Sequence, residues 1–142
     1  MELDQGHLFV GVDVQVVNQG EYQGTFLVAE DETIDFTPVG PVFIGYGYTS
    51  KVTTMPAAAA GSEGSTYGSE KRVRRIKPYF LDTCSYRVTA EESDEGEETS
   101  TLSSGFKDTQ VLSNFTMETT FSIEQRLPYP SSIVSTVIEL DK

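Results

Sequence analysis

The stretch that decides the fold is Val10 to Val17, which reads VGVDVQVV. Valine occupies positions 10, 12, 14 and 16, and Gly11, Asp13 and Gln15 stand between these valines. A period of two places alternate side chains on the same face of an extended chain. The pattern therefore predicts a β-strand with one apolar face.

Similar patterns recur along the chain, separated by turn signals such as Asn18-Gln19-Gly20. Helix-favouring residues are scarce outside Ala57 to Ala60, whereas Val, Thr, Tyr, Phe and Ser dominate. We expect further strands at Thr25 to Val28, Thr33 to Phe36, Val42 to Tyr48, Thr49 to Thr54, Lys71 to Val88, Phe115 to Ile123 and Ile133 to Leu140. This tally predicts an all-β protein, with residues 1–142 forming a single antiparallel β-sandwich or barrel-like domain with long loops.

Lys71 to Val88 is the longest predicted strand. Its inward face would carry Ile76, Pro78, Phe80, Cys84, Tyr86 and Val88, and its outward face Arg75, Lys77, Tyr79 and Leu81. The segment that follows, Thr89 to Gly105, is acidic and rich in serine, with almost no apolar residues. Because burial cannot offset its ordering entropy, we predict a mobile acidic loop or hairpin tip over 89–105.

The formal net charge is −12, from 22 acidic and 10 basic residues. Such a charge argues against nucleic acid or an anionic membrane binding to the outer surface. The charges are clustered: bases at Lys71, Arg72, Arg74, Arg75 and Lys77, and acids at Glu91, Glu92, Asp94, Glu95, Glu97 and Glu98.

The residues predict no catalytic, cofactor-binding or metal site. His7 is the only histidine and Cys84 the only cysteine, so neither an internal disulfide nor a zinc site of the usual composition forms. Cys84 alternates with apolar neighbours, which favours a buried structural thiol. The acidic run lacks the ordered Asp/Asn/Gly spacing of a calcium loop, and we interpret it as a solvated face. No apolar stretch approaches the roughly 20 residues of a membrane span.

Several short blocks resemble, in order, the C-terminal region of the tail nozzle protein of short-tailed bacteriophages, also called tail tubular protein B. The most telling is Gly45-Tyr46-Gly47-Tyr48-Thr49-Ser50, which is similar to the family's Gly-x-Pro-Tyr-x-Ser. The other blocks are His7-Leu8, Val12-Asp13-Val14, Thr33-Ile34, Thr54-Met55-Pro56, Lys71 to Arg75, Ile123-Glu124-Gln125 and Leu127-Pro128-Tyr129-Pro130. Together these blocks span nearly all of the chain.

The resemblance implies a structural virion protein without enzymatic activity. It implies a homo-oligomeric ring, hexameric in this family, around the channel through which the genome leaves. The expected partners are other copies of the chain, the adaptor, and fibre or other tail proteins; DNA would pass through without specific binding. The expected location is the phage tail, assembled in the host cytoplasm, with no membrane contact.

The basic cluster supplies the candidate interface residues Arg72, Arg74 and Arg75. Five cations within seven residues repel one another, so we expect them to meet acids, in a ring those of a neighbouring subunit or tail partner. An alternative function is a β-sandwich module that binds carbohydrate or a host surface through Tyr46, Tyr48, Tyr67 and Tyr79. An acidic hydrolase on a β scaffold is the third interpretation, but no motif singles out one pair of carboxylates.

Overall fold

The computed structural model describes residues 1, 9–56, 60–61, 64–65, 69–91, 93–111 and 113–141. These residues contain no helix and about 60% strand, in antiparallel sheets that include a curled half-barrel, which confirms the all-β prediction. The strands are β1 (Asp13–Asn18), β2 (Glu21–Leu27), β3 (Val42–Gly45), β4 (Ser50–Thr53), β5 (Ala60–Gly61), β6 (Gly64–Ser65), β7 (Arg72–Ala90), β8 (Ser93–Phe106), β9 (Thr109–Gln110), β10 (Ser122–Gln125) and β11 (Ile133–Asp141).

The chain divides into two compact units. Unit 1 comprises Met1–Tyr48 with Arg126–Pro128, and unit 2 comprises Thr49–Gln125 with Tyr129–Lys142. Each unit has its own cluster of buried apolar side chains. That the whole chain behaves as a single domain stays a prediction.

Unit 1 is built on a three-stranded sheet in the order β2-β1-β3. The predicted alternation holds within β1, where Val14 and Val16 are fully buried and pack with Val28 and Ile34. The strand starts later than predicted, because Gly11 adopts a φ of +74° and the chain turns there. Val10 and Val12 precede β1 and are partly exposed.

Unit 2 is organised around the 19-residue strand β7. Strands β8 and β9 pair along one edge of β7, and β11 and β10 pair along the other. All six apolar residues that the pattern places on one face, from Ile76 to Val88, are buried. Strand β10 continues the sheet to β4, so the core of unit 2 lies against one face of a six-stranded sheet.

Three predicted elements differ from the structure. Residues 93–106 form strand β8, paired with β7, where a loop or hairpin tip was predicted. Thr33 to Phe36 forms no strand, although Ile34 is buried. In the predicted strand 115–123, only its last two residues are in β10, and Phe115 and Met117 are exposed. Residues 57–59, in the alanine run, lie outside the described residues.

Candidate interaction surface on strand β7

The three candidate arginines lie on the outward face of β7 because of a β-bulge. Val73 pairs with Leu140 of β11, and Arg75 pairs with Glu139, the residue next to Leu140. Arg74 is therefore the extra residue of the bulge. A bulge lets two successive side chains point to the same side of a sheet. Val73 and Ile76 are consequently both buried while the two arginines between them point outward.

Arg72 and Arg75 already have acidic partners within the chain. The Nε and Nη2 atoms of Arg72 both donate to Oδ2 of Asp141, at 3.1 and 3.0 Å. Arg75 lies 3.1 Å from Oδ1 of Asp108 and 3.9 Å from Oε2 of Glu139. Both arginines thus meet acids of the same chain, and their role in an interface stays a prediction.

Lys77 completes this network on the β7–β11 ladder. Its Nζ donates to Oε1 of Glu139 at 2.6 Å. The hydrogen bond from Lys77, together with the charges of Lys77, Arg75 and Arg74, lowers the pKa of the Glu139 carboxyl below its ordinary value. The carboxylate of Glu139 is thus shared by several cations of the cluster.

Arg74 differs from its neighbours. It is exposed, and among the described residues it forms no ion pair within 4 Å. With Arg72 it lines a cavity of about 170 Å³ whose other walls are Gln110, Val111 and Ser113. Two arginines in the lining of one small cavity favour an oxyanion as its occupant.

Lys71 belongs to the basic cluster in sequence but not on the surface. Its side chain is almost fully buried, and its Nζ donates to the carbonyl oxygen of Met117 at 3.1 Å. The backbone of Lys71 is bridged to Thr116 in both directions. Lys71 thus fixes the segment after β9 against the start of β7, and its role is structural.

Three acids of the acidic cluster pair with bases of the same chain. Arg87 lies 2.9 Å from Asp94 and 3.0 Å from Glu98, and Lys107 lies 2.7 Å from Glu97. Residues 87, 94 and 98 lie on one face because Thr89 pairs with Asp94 and Ser85 with Glu98. In the described part of the chain, no group of three or more His, Cys, Asp or Glu residues is arranged to hold a metal ion.

Two buried titratable groups lie on the inward side of β7. Burial raises the pKa of the Cys84 thiol, and its Sγ lies 3.5 Å from the carbonyl oxygen of Ser100. Burial and the nearby charge of Glu97 raise the pKa of Tyr86 to about 12. The ring of Tyr86 packs on Phe80 with centroids 4.3 Å apart. These surroundings place Cys84 and Tyr86 in the core and confirm that Cys84 is buried.

Unit 1 carries a second surface feature, an open groove of about 210 Å³ on the outward face of its sheet. Its walls include Gln15, Val17, Phe43, Tyr46 and Pro128. Phe43 and Tyr46 are both exposed. The sequence prediction included Tyr46 but missed Phe43, whose outward position follows from the alternation within β3 once its register with Val17 is known.

The four predicted tyrosines are not equivalent. Tyr46 and Tyr48 are exposed in unit 1. Tyr79 is half-buried in unit 2, where its ring meets that of Phe106 edge-on with centroids 4.9 Å apart. Tyr67 lies outside the described residues.

No family model matches the chain, and no curated protein matches it either. The described residues include no helix that is both long and apolar enough to cross a membrane.

Proposed function

We propose that the chain is a structural component of a virion, namely part of the tail-tube nozzle of a short-tailed bacteriophage. It would form part of an oligomeric ring around the DNA exit channel. The order of the sequence blocks supports this proposal. Blocks Lys71 to Arg75 and Ile123 to Gln125 fall at the start of β7 and in β10, and Leu127 to Pro130 follows just before the last strand.

The observation that carries the proposal is the number of large apolar side chains exposed to solvent in both units. Phe43 is 71% exposed in unit 1, and Met55 and Phe106 are 85% and 60% exposed in unit 2. Covering an exposed apolar side chain of this size with another molecule is favourable. Assembly into a larger particle would cover these side chains.

An acidic surface also suits a conduit for DNA. The net charge of −12 repels a polyanion, so a channel wall of this composition would let DNA slide without specific contacts. The basic cluster on β7 is the part of the chain that could attract DNA. Most of its members are paired with acids of the same chain, which weakens that attraction.

Three measurements test the proposal. Mass spectrometry of purified virions from the phage that encodes this sequence should detect the chain, and antibodies against it should label the tail in electron micrographs. Sedimentation velocity of the purified chain over rising concentrations should show discrete oligomers. Absence of the chain from virions would contradict the proposed function, whatever the oligomeric state.

A carbohydrate- or host-surface-binding module is the second candidate function, and the groove on unit 1 favours it. Phe43 and Tyr46 expose aromatic surface beside the amide of Gln15, so a sugar could stack on a ring and hydrogen-bond to the amide. Glycan-array binding that is lost in Phe43→Ala and Tyr46→Ala but kept in Leu102→Ala would support this module. Leu102 is a suitable control because it is exposed and apolar but does not line the groove.

A further inference from the structure

Arg74 and Glu95 lie far apart on the hairpin of β7 and β8, and we propose that they pair between two copies of the chain. The cavity beside Arg74 in one copy would receive the carboxylate of Glu95 from the next copy. This inference rests on the proposed role in an assembly and assigns one of its contacts.

The cavity is arranged for a single carboxylate. The guanidinium of Arg72 is held in place by Asp141, and its Cζ lies 5.0 Å from the ring centroid of Phe115. The Ser113 hydroxyl donates to the carbonyl oxygen of Val73 and accepts from its N–H, so it is also fixed. Arg74 is left to direct its fork of donors at an incoming group. A volume of about 170 Å³ admits an acidic side chain but not a large ligand.

Glu95 is the matching anion on the same hairpin. Its neighbours Asp94, Glu97 and Glu98 all form ion pairs with Arg87 or Lys107. Glu95 is exposed and, within the described ranges, has no cation within 4 Å. It is therefore available to a partner, as Arg74 is.

The two residues are too far apart along the hairpin to meet within it. Glu95 pairs with Val88, which lies fourteen positions after Arg74 on β7. At about 3.3 Å per residue this separation is roughly 45 Å along the strand. The ion pair we propose therefore joins two molecules.

Such a contact has two possible symmetries. It can be reciprocal, so that two copies form a two-fold dimer with two Arg74–Glu95 pairs, or it can repeat from copy to copy and close into a ring or continue as a filament. An exposed ion pair contributes little affinity by itself, so it would set partner and register while apolar contacts supply most of the affinity. Phe115, beside Arg72, is an exposed apolar side chain suited to that role.

Charge exchange tests the pairing by sedimentation of the full chain at low salt. Arg74→Glu and Glu95→Arg should each weaken self-association by about tenfold or more, because each places like charges opposite one another. The double variant, and an equimolar mixture of the two single variants, should associate like the wild type. Glu118→Arg makes the same charge change at an exposed residue outside the hairpin and should leave the cavity contact intact.

A second experiment distinguishes an anion bound in the cavity from the general screening of charges by salt. Sodium sulfate should dissociate the copies more than sodium chloride at equal ionic strength, because sulfate can enter the cavity and compete with the carboxylate. Equal effects of the two salts would contradict the assigned cavity.

Other outcomes overturn the pairing. Single variants that associate like the wild type, or a double variant that remains dissociated, would show that Arg74 and Glu95 do not meet. A wild-type chain that stays monomeric at every concentration would do the same. The proposed function would then still be decided by whether virions contain the chain, so the two proposals fail separately.

Discussion

Gly96 is the residue where the β7–β8 hairpin leaves no room for a side chain. A Cβ at this position would collide with the carbonyl oxygen of Tyr86 and lie 2.8 Å from the Cα of Arg87. Both obstacles are backbone atoms, which cannot move aside without breaking the ladder. Glycine is thus required here by close approach of the partner strand.

We therefore expect Gly96→Ala to destabilise the protein by about 1–3 kcal/mol, the usual cost of overpacking. Gly45→Ala is the matched control, because a Cβ at this strand position meets nothing within 4 Å. Thermal unfolding of both variants measures the difference. Equal melting temperatures would show that β8 does not lie against β7 at Gly96.

Cys84 is expected to be chemically inert in the folded protein. It is only 4% exposed, and burial raises its thiol pKa, so less thiolate is present at neutral pH. Labelling with a thiol reagent should be slow in the native state and fast in denaturant. Rapid native labelling would contradict burial of the thiol and reopen its interpretation as a nucleophile.

The candidate interface shows what residue patterns do and do not predict. The cluster of cations is visible in the sequence, but strict alternation would place Arg74 and Arg75 on opposite faces. The bulge that brings them to one face depends on pairing with Glu139 and Leu140 of β11, which lie more than 60 positions away. The sequence also did not predict acidic partners such as Asp141, because strand pairing is set by tertiary structure.

At the scale of elements, the hairpin of β7 and β8 corrects the prediction for residues 89–105. Apolar content suggested a mobile loop, yet β8 pairs with β7 from Ala90 to Tyr79. Backbone hydrogen bonds do not require apolar side chains, and Arg87 and Lys107 offset the repulsion among the acids. Composition predicted the exposure of this segment but not its pairing.

Deleting residues 91–98 should therefore lower the melting temperature by more than about 5 °C, which corresponds to roughly 1 kcal/mol for a chain of this size. The deletion removes the strand opposite Tyr86 to Thr89 and leaves Val88 and Tyr86 without cover on that edge. Differential scanning calorimetry measures the change. A melting temperature within about 2 °C of wild type would instead support the mobile loop.

The ladder between β7 and β11 predicts a pH dependence. The pKa of Glu139 is lowered in the folded state, chiefly by its hydrogen bond from Lys77. A lowered folded-state pKa adds stability above the unfolded value, near 4.5, and that stability is lost as the pH falls through the folded value. Glu139→Gln should therefore reduce the loss of stability that the wild type shows as the pH falls below about 4.5.

Glu118→Gln is a suitable control for this experiment, because it removes an exposed carboxylate that lies outside the ladder. Melting temperatures of the wild type and both variants, measured from neutral to acid pH, give the comparison. If the melting temperature of Glu139→Gln falls at acid pH as much as that of the wild type, a group other than Glu139 causes the pH dependence.

At the scale of the whole molecule, the sequence predicted the all-β fold class but not the division of the chain into two compact units. Alternating valines in β1 and the long pattern of β7 each specify a strand with one buried face. They do not say which strands share a sheet, so the separation into β1–β3 and the sheet around β7 was not predictable. Long-range pairing decides that separation, and a single sequence carries little information about it.

The net charge of the whole chain leads to a prediction about salt. Most ion pairs on the surface are exposed, and such pairs contribute about 0–1 kcal/mol each. An excess of 12 negative charges repels throughout the molecule, and this repulsion extends about 30 Å at 0.01 M salt but only about 10 Å at 0.1 M. Screening should therefore weaken the repulsion more than the pairs.

We expect the melting temperature to rise by a few degrees between about 10 and 200 mM sodium chloride, at concentrations where sedimentation shows a monomer. Potassium and lithium chloride should act alike at equal ionic strength, because screening depends on charge rather than on the identity of the ion. A gain of about 1 kcal/mol would appear as roughly 4 °C in a chain of this size. A melting temperature that falls with salt would mean that the local pairs around Arg87 and Glu139 outweigh the repulsion of the whole chain.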